Sequence, residues 1–332
     1  MRAALANSQR LAEENPAVPR FRDTLAQYRT NFGATLLQMG RTAEAEAECR
    51  AALAIRQRLA DENSTVTAYR AGPGYGHDAF GILLMRTGRP SDADAEFRAA
   101  LAIRQTLADE NPTDPRYPRD LANSHSYLGE ALMQTGRPTD AEAEYRAALA
   151  IWQKVSNENP ADTLFRVELA SRHSDLGNLL LLTGRPSDAE VEIRTALAIE
   201  QKVADDNPAD IFYQHELASS LSRMGKIEQH KGRITEAVAS FRRAIAVMER
   251  HPNIRGVYLF DLACWQALLA RATGSRTESD RAMDTLRRAV VHSRNLGRIR
   301  IDTDLDPLRD RDDFRLMMMD LAMPADPFAS AR

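Results

Sequence analysis

YPRDLANSHSYLGEALMQTGRPTDAEAEYRAALAIWQKVSNENP (residues 117–160) decides the fold. Its first half carries Leu121, Ala122, Leu128, Leu132 and Met133 at helical spacing. Its second half does the same with Ala141, Tyr145, Ala148, Leu149 and Trp152. Between them, T-G-R-P supplies Gly136 to end one helix and Pro138 to open the next. The stretch therefore reads as two antiparallel helices joined by a tight turn. Thr139-Asp140-Ala141-Glu142 is expected to form a capping box, as is Ser187 with Glu190 further on.

The same unit recurs along the chain. Gly40, Gly88, Gly136, Gly184 and Gly232 stand 48 residues apart, each followed by Arg. A second series, Gly33, Gly81, Gly129, Gly177 and Gly225, keeps the same period inside the first helices. Ala45, Ala93, Ala141, Ala189 and Ala237 are expected to face these glycines, because a larger side chain would push the helices apart. A fixed period of this length is the mark of stacked supersecondary units, each packing mainly on its neighbours.

The residues inside the unit resemble the tetratricopeptide repeat: a small Gly in the first helix, Ala twelve residues later, an aromatic four beyond, then Ala three further. Here these read Gly33, Ala45, Cys49, Ala52; Gly81, Ala93, Phe97, Ala100; Gly129, Ala141, Tyr145, Ala148; Gly177, Ala189, Ile193, Ala196; and Gly225, Ala237, Phe241, Ala244. The resemblance implies an all-α, right-handed superhelical solenoid of antiparallel helix pairs. The usual repeat has 34 residues, so this one is long, and both helices are expected to share the excess. A shorter long-repeat relative occurs in kinesin light chains.

This register divides the chain. Residues 1–16 align with the end of a second helix and read as a partial repeat, as if cut from a longer protein. Residues 17–255 hold five helix pairs, 256–298 a sixth and divergent pair, and 299–332 a capping helix and tail. In the final segment an acidic turn is expected to lead into a helix offering Phe314, Leu316, Met317 and Leu321 to the core. One unit departs from the rule: AGPGYGH at 71–77 holds Pro73 among Gly72, Gly74 and Gly76, so its first helix is expected to start late, near Gly74 or Gly76.

Composition narrows the function. A net charge of −3 with mixed signs gives no global field for nucleic acid or an anionic membrane. Apolar runs such as Leu179–Leu182 are too short to span a bilayer. No secretion signal opens the chain, so a cytoplasmic location is expected. Cys49 and Cys264 read as buried small residues.

Chemistry-bearing patterns are sparse. His77, His125 and His173 repeat with the unit, which suits bonding between helices better than a shared metal. Asp302, Asp304 and Asp306 lack the remainder of a calcium loop and read as turn and cap residues. No nucleophile elbow, kinase motif set or Cys/His cluster appears, so neither catalysis nor a cofactor or metal is expected.

The resemblance instead implies a groove lined by first helices, at fixed offsets from the packing glycine. Those positions are Asn123, Ser126, Glu130, Met133 and Gln134 in the third unit. The fourth supplies Ser171, Ser174, Asn178, Leu181 and Leu182, and the fifth Ser219, Ser222, Lys226, Gln229 and His230. The expected function is a noncatalytic scaffold binding a protein or extended peptide. Two alternatives stand beside it. F-D-L-A-C, D-L-D-P-L-R and D-F near the end resemble the repeat regions of planctomycete-type bacterial Ser/Thr protein kinases, which implies the C-terminal sensor or docking region of a larger kinase whose kinase domain lies upstream. A purely structural solenoid, dimerising through an uncapped N-terminal face, is the other.

Overall fold

The computed structural model describes residues 2–251, 254–292 and 296–322. Residues 293–295 of the expected sixth pair and the tail beyond 322 lie outside the described residues. The described chain is all-α: α1 (Arg2–Glu14), α2 (Pro19–Gln38), α3 (Thr42–Glu62), α4 (Thr67–Arg86), α5 (Pro90–Glu110), α6 (Arg116–Gln134), α7 (Pro138–Glu158), α8 (Thr163–Leu182), α9 (Pro186–Asp206) and α10 (Ile211–His230). There follow α11 (Ile234–Glu249), α12 (Val257–Thr273), α13 (Arg276–His292), the short α14 (Leu296–Ile301), a 3-10 helix (Thr303–Leu308) and α15 (Asp312–Ala322). It forms two compact units, one ending at Arg172 and the other beginning at His173. Within each, consecutive helices pair antiparallel.

Each residue of the T-G-R-P turn has a job. The Thr135 hydroxyl donates to the carbonyls of Ala131 and Leu132, at 3.1 Å each. Gly136 takes φ +74°, a backbone conformation that costs glycine little. Its N–H bonds the Met133 carbonyl at 3.1 Å while Arg137 N–H bonds Leu132 at 2.9 Å, satisfying carbonyls the helix end leaves open. Arg137 is the N-cap residue of α7 and Pro138 its first residue, where a missing N–H is harmless.

The expected capping boxes do not form. Thr139 and Ser187 lie one residue inside α7 and α9, which begin at Pro138 and Pro186. The N-cap arginines instead pair with the acid three residues on: Arg137–Asp140 at 2.6 Å and Arg185–Asp188 at 2.7 Å. That places a carboxylate near the positive end of each helix dipole.

Helix length is shared as expected: α2, α4 and α8 have 20 residues, and α3, α5, α7 and α9 have 21. The second helices stop at Asn63, Asn111, Asn159 and Asn207, whose side-chain amides each donate to the carbonyl four residues back at 2.9 Å. Asn15 ends α1 in the same way, at 3.0 Å from Leu11 O.

Inside each of the five regular pairs, the glycine of the first helix lies against the residue sixteen positions later: Cys49 in the first pair, then Phe97, Tyr145, Ile193 and Phe241. The facing alanines are fully buried, yet they are not the main contact. A Cβ on Gly225 would lie 2.6 Å from Phe241 Cε1, and one on Gly81 would lie 2.5 Å from Phe97 Cε1. Phe97, Trp152 and Phe241 are buried to 1% exposure or less, and side chains of this size stabilise by roughly 1.5–3 kcal/mol each when removed from water. Both cysteines are free and buried.

The segment at 71–77 corrects the expectation of a late helix start. α4 runs unbroken through Ala71–His77, with Pro73 inside it. Gly72 and Gly76 are buried against the preceding α3 and Gly74 against the following α5: a Cβ would meet Arg56 Cβ at 3.4 Å, Leu53 Cδ1 at 2.7 Å and Arg104 Nε at 3.4 Å, respectively. Close packing outweighs poor intrinsic propensity here. The C-terminal segment agrees in part. Phe314 and Leu321 enter the core with Trp265, Met283 and Leu286, and Met317 packs against it, whereas Leu316 is 64% exposed.

Candidate functional site

In the unit beginning at His173, the ends of α8 and α10 meet α12 and the 3-10 helix around a cleft of about 780 Å³. Asn178, Leu181 and Leu182 come from α8, and Lys226, Gln229 and His230 from α10. Leu268 and Arg271 close one side, while Thr303, Asp304 and Asp306 form the rim. Leu182 and Ile234 are 68% and 46% exposed, giving the cleft an apolar wall open to water. Opposite them, Arg271 donates to Gln229 Oε1 at 3.2 Å and Lys226 Nζ bonds Asp304 Oδ2 at 2.6 Å. The rim owes its shape to the acidic turn: Asp302 accepts from the N–H of Asp304 at 3.1 Å, and Asp306 holds Arg309 at 2.6 Å. Burial pushes the Asp302 carboxyl up, against that backbone bond. The three aspartates thus do turn and cap work. Among the described residues, no group of three His, Cys, Asp or Glu side chains could hold a metal ion.

Of the fifteen residues singled out from sequence, six line this cleft: Asn178, Leu181, Leu182, Lys226, Gln229 and His230. Ser174 and Ser222 are buried to 1% and 3% and cannot meet a partner there. Ser174 bonds Ser220 at 2.9 Å. Ser219 is half-buried on α10, and Ser171, in the first unit, is half-buried beside Arg172. In that first unit α6 carries the rest. Ser126 is buried and donates to its own helix at Ala122 O, 3.1 Å, while Asn123 and Met133 are half-buried and Glu130 and Gln134 exposed. Sequence reasoning did not place Arg271, Thr303 or Asp304 at a groove; of these, Asp304 stood in the D-L-D-P-L-R segment, and nothing in it says where it docks.

Two ladders run with the repeat. His77, His125 and His173 place Nδ1 at 2.7, 2.6 and 2.7 Å from Glu96, Glu144 and Glu192, joining the two helices of a pair as their periodicity suggested. The turn arginines reach back to the preceding pair: Arg89 to Glu46 at 2.8 Å, Arg137 to Asp94 at 3.2 Å, and Arg233 to Glu190 at 2.8 Å. Lys231, Arg194 and Arg233 together hold the Glu190 carboxyl at about 2.

The tetratricopeptide repeat family matches residues 25–65, 121–162 and 217–251, one helix-pair register each. The helix pairs are tetratricopeptide-like repeats. Solved structures agree on the fold. The crystal structure of BtubC (BKLC) from P. vanneervenii is 19% identical, with a TM-score of 0.55 over 74% of this chain and 89% of that one. The apo form of RapI is 13% identical, with a TM-score of 0.59 over 96% of this chain and 80% of that one. No curated protein matches the chain. In these tetratricopeptide-like pairs the kinase-like C-terminal motifs have structural employment. Asp261 of F-D-L-A-C binds His215 and Arg298, and Leu305 and Leu308 of D-L-D-P-L-R are fully buried. No helix among the described residues is long and apolar enough to cross a membrane.

Proposed function

We propose that the chain is a noncatalytic tetratricopeptide-like scaffold whose C-terminal unit takes an extended peptide or protein segment in the cleft between Leu182 and Asp304. The observation that carries this is the exposed apolar wall, Leu182 with Ile234, facing side chains that offer both donors and acceptors. Such a mixture suits a segment laid across the helix ends, with an apolar side chain on the wall and its backbone against Asn178, Gln229 and Arg271. The test uses peptides selected from a random display library against the intact chain. Leu182→Glu should weaken their binding at least tenfold while helicity and Tm stay unchanged, because Leu182 is largely in water already. Unchanged affinity would remove the cleft from the account.

A narrower version of this reading, motivated by F-D-L-A-C and D-L-D-P-L-R, is the C-terminal sensor or docking region of a larger bacterial Ser/Thr protein kinase. A kinase domain encoded in frame immediately upstream of Met1 would support it, and an in-frame stop codon there would count against it. Self-association through the N-terminal helices is the reading that sedimentation across a concentration series addresses: a mass independent of concentration would dismiss it.

A further inference from the structure

Arg56 and Arg104 occupy the same position of successive repeats, 48 residues apart. Both are buried, at 8% and 5% exposure. Arg104 is fully engaged. Its Nη2 lies 2.6 Å from Asp78 Oδ2, and its Nη1 donates to Asp120 O at 2.6 Å and Ser124 Oγ at 3.1 Å. The Tyr75 ring covers its guanidinium at 5.0 Å.

Stepping those partners back by one repeat removes the carboxylate and one hydroxyl: Asp78 becomes Thr30 and Ser124 becomes Gly76, while the Asp120 backbone carbonyl has its counterpart at Gly72. Arg56 accordingly has only a long hydrogen bond, 3.4 Å from Nη1 to Thr30 Oγ1, and no paired carboxylate among the described residues. A buried charge normally has a partner, because desolvation is costly without one. Burial does pull the Arg56 guanidinium down from its ordinary value, and the charge of Asp23, which lines the same cavity, opposes that pull. Where the partner would stand there is a cavity of about 390 Å³, lined by Asp23, Gln27, Thr30, Asn31, Gly72 and Tyr75 together with Arg56. Gly72 keeps it open.

We propose that this cavity is a carboxylate-binding site, in which Arg56 receives an aspartate or glutamate side chain of a partner segment. The guanidinium fork matches a carboxylate with two parallel N–H bonds. Thr30, Gln27 and Asn31 supply further donors, and Tyr75 forms a flat wall. Asp23 limits the site to a single negative charge, since a phosphate dianion would meet its carboxylate. The site lies in the first unit and is independent of the cleft proposed above.

The experiment follows the Arg56 Nε–Hε resonance by NMR while titrating the intact chain with Ac-Ala-Glu-Ala-NH2, Ac-Ala-Gln-Ala-NH2 or acetate at constant ionic strength. The glutamyl peptide should shift that resonance saturably, with at least tenfold higher affinity than the glutaminyl peptide; acetate should compete more weakly. Thr30→Asp copies the acid that Arg104 already has and should fill the site from within, so binding is lost while the fold is kept. Arg56→Met should abolish binding as well. Equal response to the two peptides, or binding retained in either variant, would overturn the proposal. Acetate binding as tightly as the glutamyl peptide would overturn the peptide as the source of the carboxylate.

Discussion

Arg104 in the first unit and Glu200 in the second stand at the same repeat position, two periods of 48 residues apart. Both are buried ionisable side chains in the seam where a second helix meets the next first helix. Arg104 is closed in by Asp78, Asp120, Ser124 and Tyr75. Glu200 has one partner, Ser220, whose hydroxyl donates to Oε1 at 3.0 Å, and its Oε2 makes no bond. Burial pushes its carboxyl up to about 8, and Glu216 adds to this. The repeat therefore sets the geometry of every seam and leaves its chemistry open. Between these two extremes lies Arg56, which has space around it and no carboxylate bonded to it among the described residues.

The largest effect should come from opening the closed seam. Asp78→Ala leaves Arg104 buried without its carboxylate, which should destabilise the chain by about 3–5 kcal/mol, as broken buried pairs do. Burial raises the Asp78 carboxyl to about 6 in spite of Arg104 and Ser124, so it is ionised at neutral pH and the pair is present there. Denaturant unfolding at pH 7 measures the loss. A change below about 1 kcal/mol would make the Arg104 network no stronger than a surface contact.

Closing the half-open seam should have a smaller, pH-dependent effect. The Glu200 carboxyl moves from 4.5 unfolded to about 8 folded, so the folded state holds the extra proton between those values. Stability should fall as pH rises through that window and level off above it. Glu200→Gln should flatten this part of the curve and be the more stable protein at pH 8.5, by up to a few kcal/mol. His215 complicates the upper half. Burial lowers it, but bonds to Asp261 and Glu216 hold it at about 9, so its contribution is present below pH 6.5 and lost as pH rises through 9. The difference between wild type and Glu200→Gln, rather than either curve alone, isolates Glu200. Parallel curves would contradict the assignment.

The smallest effect should come from outside the seams. Arg89→Ala removes an exposed bond to Glu46, and its cost should be the smallest of the three in the same unfolding assay. A loss as large as that of Asp78→Ala would show that the turn arginines, rather than the buried seams, hold successive repeats together.

Much of the frame was legible in the sequence. Period, turn and helix pairing followed from Gly136, Pro138 and the apolar spacing of Leu121 through Trp152. What eluded reading depended on partners remote in sequence. Gly72 and Gly76 weaken a helix when judged locally, but packed against Arg56 and Leu53 they are what allows α4 to run through. The N-cap arginines displaced the capping boxes because Pro138 and Pro186, not Thr139 and Ser187, begin the helices. Groove offsets borrowed from a shorter repeat turned Ser126, Ser174 and Ser222 inward, while Asn178, Leu182 and Gln229 fell on the cleft. The rim itself, Thr303 and Asp304, comes from a segment with no repeat register at all.

On the proposed reading, positions closed by the chain's own residues hold the repeats together and positions left open receive a partner. The most direct measurement is a methyl NMR titration of the intact chain with a display-selected peptide, reading Leu181, Leu182 and Ile234. The account predicts saturable shifts at these methyls, with Leu128 and Leu132 in the closed interior of the first unit unmoved. Saturable binding that leaves Leu181, Leu182 and Ile234 unshifted would contradict it.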